Sequence, residues 1–410
     1  MLVCGRWGSD VTIEGSFPVV VPGRVAEPTI RFDLCREQDV TPLMRFIDAE
    51  WQAGHVLSRD EALLRWQFDG SLLPGREFTG PTVILAWHDD AIVGMFGLTA
   101  CQVTLEGTLA SGVWLSHWFA SPKYRQYNVA LGLWRAVEEF GFEIIGTVGA
   151  NQASTKLLSA MRFETIPALP RWLGVVNVSQ TAQLLVDCNP GLTRDDAVHL
   201  CERYRAESVA LGPAAPEAAV EVTPWRDELA TAWDHYWEEH VARTIVGTVR
   251  DARFLRWRYI HHPRFRYEIR LATDRSDGRV TGLAVFRLEQ VRGRNEAVLR
   301  VVEFLASPPA ATALARAILQ AGRELGVAYA DFYCSSASAA RGLEEVGFRP
   351  VSVAEDQPPF PTRLQPLEGG RHDITALVRL PSALRGQLNA LVRAGRLYLT
   401  KSDGDQDRPN

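Results

Sequence analysis

The strongest constraint on this chain is that it repeats itself. The stretches "LSRDEALLRWQFDGSLLPGREF" from Leu57 and "TVRDARFLRWRYIHHPRFRYEI" from Thr248 both carry Arg-Asp, then Leu-Arg-Trp, then an aromatic residue two positions after Trp66 or Trp257. Each is followed by a strand pair with a central glycine, "AIVGMFGL" around Gly94 and "RVTGLAVFRL" around Gly282. An apolar strand, a helix, a further strand and a second helix ending in Phe163 or Phe348 complete each series. Matches in one order over such a length indicate duplicated domains. At 410 residues the chain also exceeds what a single hydrophobic core usually serves.

The repeat sets the expected domain plan. An N-terminal extension takes 1–28 and a first domain 29–180. A connector with some helix takes 181–220, a second domain 221–380 and a C-terminal tail 381–410. Between the repeats, "ESVALGPAAPEAAVEVTP" is rich in Ala and Pro and reads as a linker. Within the first domain, periodicity predicts a helix near 40–52, strands near 82–88, 91–103 and 112–119, a helix over 127–140, a strand over 143–148 and a helix over 151–161. Asp89-Asp90 suits a hairpin turn. The expected class is α/β (α+β): two tandem domains, each a mixed central sheet flanked by helices.

Composition removes several functions. A net charge of −5 without a long basic run argues against a nucleic-acid partner. Six cysteines without a CxxC pair read as reduced thiols in a cytoplasmic protein and give no zinc site. His261-His262 have no partners at ligand spacing and read as surface residues, so no metal is expected. No run approaches the roughly 20 apolar residues of a membrane helix, and the N-terminus lacks the pattern of a signal peptide. Neither GxGxxG nor a P-loop is present.

The chemistry concentrates where "GVWLSHWF" runs into "SPKYRQYNVALGLW". A strand that ends in a turn and opens a helix aims backbone N–H groups and the helix dipole at an anion. Pro122, Arg125, Asn128 and Ala130 form Arg-x-x-Asn-x-Ala ahead of a helix. This resembles the GNAT superfamily of acyl-CoA N-acyltransferases, whose turn reads Arg-x-x-Gly-x-Gly/Ala after an apolar strand and a proline. Asn128 stands at the first glycine, and asparagine is among the residues best able to take φ > 0 or to cap a helix. Two readings stand: Arg125 and Asn128 are a surface residue and a cap, or they hold a pyrophosphate. The resemblance implies acyl-CoA contacts from Phe119, Ala120, Arg125, Gln126, Tyr127, Asn128, Val129 and Ala130. It adds Asn151, which opens a degenerate Asn-x-x-Ala-x-x-Leu-Tyr-x-x-x-Gly-Phe pattern with Leu157, Leu158, Arg162 and Phe163. Leu158 and, in the second repeat, Leu343 replace the tyrosine that many relatives use to protonate the leaving thiolate.

In the second repeat, "VVEFLASPPAATALARAIL" keeps Ser307-Pro308 but has neither Arg nor Gly in the turn, and Pro309 removes an amide donor. Acyl-CoA is therefore expected in the first domain, with the second shaping an acceptor pocket or standing as a dead copy.

Acyl transfer to an amine needs a base and a polarised thioester carbonyl. His117, on the strand before the turn, is the first candidate, since imidazole titrates near neutrality when unperturbed; packing between Trp114 and Trp118 is the alternative. Strand alternation puts His117 on one face with Leu115 and Phe119, and Ser116 with the tryptophans. Asp48 and Glu50 are alternative bases or a solvated helix face. Glu303 occupies the corresponding strand of the second repeat, where an unpaired charge is costly. Trp118, Asp403 and Asp405 are expected at the acceptor; a frayed acidic terminus is the other reading of the tail. The tail resembles the C-termini of two-domain GNAT-like proteins of polysaccharide biosynthesis.

The expected function is an N-acetyltransferase using acetyl-CoA and a small-molecule amine acceptor such as an amino sugar, with no nucleic-acid or membrane partner, as a monomer or homodimer. The alternatives are a non-catalytic binding protein of the same fold and a FemAB-like aminoacyl-tRNA-dependent transferase.

Overall fold

The computed structural model describes residues 29–73, 78–206, 219–352 and 357–409. The expected N-terminal extension and residues 207–218 of the linker lie outside them. The class is the expected one, mixed α/β with helices flanking two mixed sheets. Strands β1 (Ile30–Leu34), β2 (Val83–His88), β3 (Ala91–Leu105), β4 (Thr108–Ala120) and β5 (Ile144–Val148) come first. Next are β6 (Glu164–Ile166), β7 (Arg171–Val175), β8 (Val220–Pro224), β9 (Val246–Thr248) and β10 (Glu268–Asp274). The last are β11 (Val280–Gln290), β12 (Ala297–Ala306), β13 (Tyr329–Tyr333), β14 (Arg349–Pro350) and β15 (Ala376–Arg379).

The sequence repeat is a structural one. Each copy opens with a strand, a 3-10 turn, a short α-helix and a π turn: Glu37–Asp39, Val40–Phe46 and Ile47–Trp51, then Asp227–Leu229, Ala230–Tyr236 and Trp237–Val241. The aspartate of each Arg-Asp pair caps the following helix, Asp60 accepting from the Leu63 N–H at 3.1 Å and Asp251 from the Phe254 N–H at 2.8 Å. The repeated tryptophans Trp66 and Trp257 are only half-buried. Phe68 and Tyr259, two positions on, are the buried anchors, because a step of two residues on a helix turns the side chain to nearly the opposite face. Even the C-terminal turn of the last helix matches: Arg162 takes φ 69° where Gly347 takes φ 94°.

Two compact units emerge. One holds the described residues up to Cys101 and Val113–Glu143; the other holds Gln102–Gly112 and the residues from Ile144 onward. In the first unit β1, β2, β3 and β4 lie side by side, β1 antiparallel to β2 and β2 to β3. Its core gathers Leu43, Phe46, Leu63, Leu64, Phe68, Val83 and Leu85.

In the second unit the strands do not keep to the consecutive blocks 29–180 and 221–380. β7, which closes the first repeat, pairs antiparallel with β13 and β14 of the second. β15, its counterpart, pairs antiparallel with β5 and β6 of the first. All five residues of β7 are buried, so it needs partners on both edges, and the available edges belong to the other copy. The connector helices Val178–Cys188 and Arg194–Arg203 pack beside β7 with Tyr329, Phe360 and Leu364.

β12 and β13 run parallel only over Leu299–Val301 and Ala330–Phe332, and a bulge shifts the β11–β12 register beside Glu303. Beyond that point the chain's own C-terminal segment touches both strands. Thr400 bridges Cys334, the Ser335 N–H donates to the Leu399 carbonyl at 2.9 Å, and the Phe304 N–H donates to the Tyr398 hydroxyl at 3.0 Å. Residues 397–400 thus fill the opening where the two strands part.

Candidate functional site

In the first unit β4 leads into Ser121, whose N–H donates to the Val93 carbonyl at 2.8 Å. A 3-10 turn, Pro122–Tyr127, follows, and then the helix Val129–Glu138. Asn128 joins them at φ 55°, ψ 30°, the left-handed region, and its side chain makes no capping bond. Of the two geometries open to asparagine here, the chain uses the one that glycine would supply. Gly94 lets β3 pass close beneath: a Cβ there would lie 2.9 Å from Val129 and 3.1 Å from the Phe119 carbonyl oxygen.

Around this turn, Val129 is buried and packs against the strand face, while Phe119, Ala120, Tyr127 and Ala130 are half-buried. Arg125 and Gln126 are exposed, and the Arg125 guanidinium has no hydrogen-bond or ion-pair partner among the described residues. Asn151 belongs to the second unit, where its Oδ1 accepts from the Ser154 N–H at 2.9 Å and caps the helix Gln152–Ala160.

Glu50 is drawn into the turn. It accepts from Lys123 Nζ at 2.8 Å and from the Ser121 hydroxyl at 3.0 Å. The bond from Lys123, then that from Ser121, holds its carboxyl below the usual glutamate range, which makes it a weak base and a brace for the turn. Sequence reasoning missed both partners, although Ser121 and Lys123 flank Pro122 in the motif.

His117 sits on β4 with φ 56°, so strand alternation fails at this residue and its expected face-sharing with Leu115 and Phe119 does not follow. Its Nδ1 lies 2.8 Å from the Ser116 hydroxyl. The ring meets Trp51 edge-on at 4.9 Å and lies 5.7 Å from both His55 and Phe68. The imidazole is half-buried in a pocket of aromatic rings; His55 is held in turn by the Leu57 N–H, which donates to its Nδ1 at 3.2 Å. Trp118 stacks on Phe96 at 4.7 Å, and its indole N–H is buried without a hydrogen-bond partner among the described residues.

In the second unit Glu303 is fully buried. It accepts from Arg250 Nε at 3.1 Å, the Tyr259 hydroxyl at 2.7 Å and the Tyr398 hydroxyl at 2.9 Å. Burial pushes its carboxyl above the usual range against the opposing charge of Arg250. Asp403 is equally buried and takes Arg250 Nη2 at 2.7 Å and the Thr248 hydroxyl at 2.6 Å. Asp407 accepts from Arg287 and from Tyr267, the latter at 2.6 Å. Asp405 is half-buried and pairs with Arg408 at 3.3 Å. The tail is therefore a packed element rather than a frayed end, and the carboxylates of Glu303 and Asp403 are engaged inside it. Arg250 was legible as half of the repeated Arg-Asp pair, but nothing local announced its partners. His262, expected at the surface, is buried, stacks on Phe265 at 4.9 Å and accepts the Phe265 N–H at 2.9 Å.

A cavity of about 860 Å³ lies in the second unit at the end of β12, lined among others by Phe304, Ser307, Pro308, Ala339, Arg341 and Arg396. Among the described residues no group of three His, Cys, Asp or Glu side chains is placed to hold a metal, and no helix is long and apolar enough to cross a membrane.

Solved structures share this fold. A GCN5-related N-acetyltransferase from Anabaena variabilis matches at TM-score 0.54 and 11% identity, over 87% of this chain and 74% of that one. A GCN5-related N-acetyltransferase from Kribbella flavida matches at TM-score 0.50 and 13% identity, over 93% of this chain and 85% of that one. Such identities establish a common GNAT fold and nothing finer. No protein-family model matches the sequence, and no curated protein matches it.

Proposed function

We propose that the chain is an acyl-CoA-dependent N-acyltransferase that binds its donor at the first repeat's turn. The observation that carries this reading is Asn128, held left-handed at the start of a ten-residue helix beside an exposed Arg125 that has no side-chain partner among the described residues. That geometry offers helix N–H groups and one guanidinium to a pyrophosphate. The second repeat has Pro308-Pro309 in place of those donors, and residues 397–400 fill its strand opening. The donor is acetyl-CoA in the simplest case. The acceptor is the amine of a small molecule such as an amino sugar used in cell-envelope polysaccharide synthesis, and the protein is cytoplasmic.

In this reading His117 Nδ1–H donates to the Ser116 hydroxyl, which leaves Nε2 with the lone pair that takes the amine proton. The amine nitrogen then bonds to the thioester carbonyl carbon, the C–S bond breaks, and the thiolate takes a proton from water. Water serves because Leu158, 2% exposed, stands where relatives have tyrosine. The same leucine favours the rival reading, a binding protein that has kept the fold and lost the chemistry.

Titration calorimetry with acetyl-CoA tests the proposal. Micromolar binding is expected, weakened about a hundredfold in Arg125→Glu by loss of a charge-assisted contact and gain of repulsion. Release of free CoA with amino-sugar acceptors then separates the enzyme from the binding protein. No affinity for acetyl-CoA or for longer acyl-CoA esters overturns both readings.

A further inference from the structure

The cavity of about 860 Å³ at the end of β12 lies in the second unit, beside the second repeat's Ser307-Pro308 turn. Its walls are apolar where Val241, Ile245, Phe304 and Ala339 line it. Most of its charges already have partners. Asp274 accepts from the Ser276 N–H and hydroxyl at 2.8 and 2.6 Å, and Glu345 accepts from the Thr312 hydroxyl. Arg279 pairs with Asp277 at 2.6 Å, and Arg396 pairs with Glu106. What stays uncommitted among the described residues is the Arg341 guanidinium, the His240 ring nitrogens and the Ser307 hydroxyl. All three can donate hydrogen bonds, one is always cationic, and none is an acid.

The backbone beside Arg341 is closely packed. Its neighbour Gly342 packs against the helix Pro308–Glu324 so closely that a Cβ there would lie 2.6 Å from the Ala311 backbone. An arginine at the rim of a chamber with an apolar wall is complementary to an anionic head on an apolar body. Tyr398, from the segment that fills the opening between β12 and β13, forms part of the cavity wall. We propose that the cavity binds a small amphipathic anion, a carboxylate or a phosphomonoester carrying an apolar chain or ring.

Octanoate, octyl phosphate and octylammonium, titrated separately into the full chain by calorimetry, test this. At least one of the two anions is expected to bind, with octylammonium at least about tenfold weaker, and the tighter of the two identifies carboxylate or phosphomonoester as the head. Arg341→Glu, at an exposed position, should weaken the anion about tenfold or more, while Arg341→Lys should keep it within about threefold. Ala339→Trp, checked for an unchanged fold by circular dichroism, should block binding by filling the chamber. No anion binding, equal binding of octylammonium, or binding unchanged in both Arg341→Glu and Ala339→Trp overturns the proposal.

Discussion

The two repeats carry different residues at the same structural address, four positions before the shared Ser-Pro. In the first, His117 sits there with a positive φ, half-buried among aromatic rings. In the second, Glu303 sits there fully buried beneath Arg250, Tyr259 and Tyr398. The aromatic residue two positions after the repeated tryptophan reaches both, Phe68 near His117 and Tyr259 bonded to Glu303. One address holds an imidazole among aromatic rings; its duplicate is the centre of an ionic core. The same position thus carries a half-buried histidine in one copy and a fully buried ionic network in the other.

Breaking the second copy should cost the most stability. Arg250→Met leaves the Glu303 and Asp403 carboxyls buried without their cation, an expected loss of about 3–5 kcal/mol read by denaturant unfolding. A loss under about 1 kcal/mol would mean that the network is not structural. The same kind of change in the first copy should fall on chemistry instead. His117→Ala is expected to lower turnover about a hundredfold, roughly 2.7 kcal/mol of barrier, with acetyl-CoA affinity unchanged. Unchanged turnover removes His117 as the base.

Smaller effects sharpen the contrast between the turns. Asn128→Val puts a branched side chain in the left-handed region, which should cost about 1–2 kcal/mol of stability and about tenfold in acetyl-CoA affinity. Asn128→Gly should match the native chain within a few tenths of a kcal/mol. The smallest test concerns Lys401, whose ammonium lies 5.2 Å over the Tyr333 ring. Burial, then the charge of Arg300, lowers it from the usual 10.5 to about 8. Between those values the unfolded chain keeps a proton that the folded chain has released, so stability should rise with pH from about 8 to about 10. Melting curves across that range should show the rise in the native chain and lose it in Lys401→Met.

Much of this was legible where the physics is local. The repeat, the mixed sheets and the left-handed potential of Asn128 follow from short-range patterns, and the structure has all three. Glu303 was legible as a charge that must be paired, since an apolar strand cannot hold it otherwise. Its partners were not, because Arg250 and Tyr398 come to it from distant chain positions. His117 shows the other limit: alternation presumes extended backbone, and one positive φ cancels it. Asp403 and Asp405 read as acceptor contacts or as a frayed acidic end, and only the Arg250 and Arg287 partners of Asp403 and Asp407, distant in sequence, show why this tail is packed.

The crossing of β7 and β15 between the copies has a consequence for how the chain comes to be folded. β5 ends at Val148, but the strand that seats beside it does not begin until Ala376. During synthesis β5 and β6 emerge with an open edge between them and wait until Ala376–Arg379 have been made. Pairings so far apart in sequence form slowly and leave strand edges exposed in the interval. The interval between the synthesis of β6 and that of β15 is therefore the one in which these two edges lie open to wrong partners.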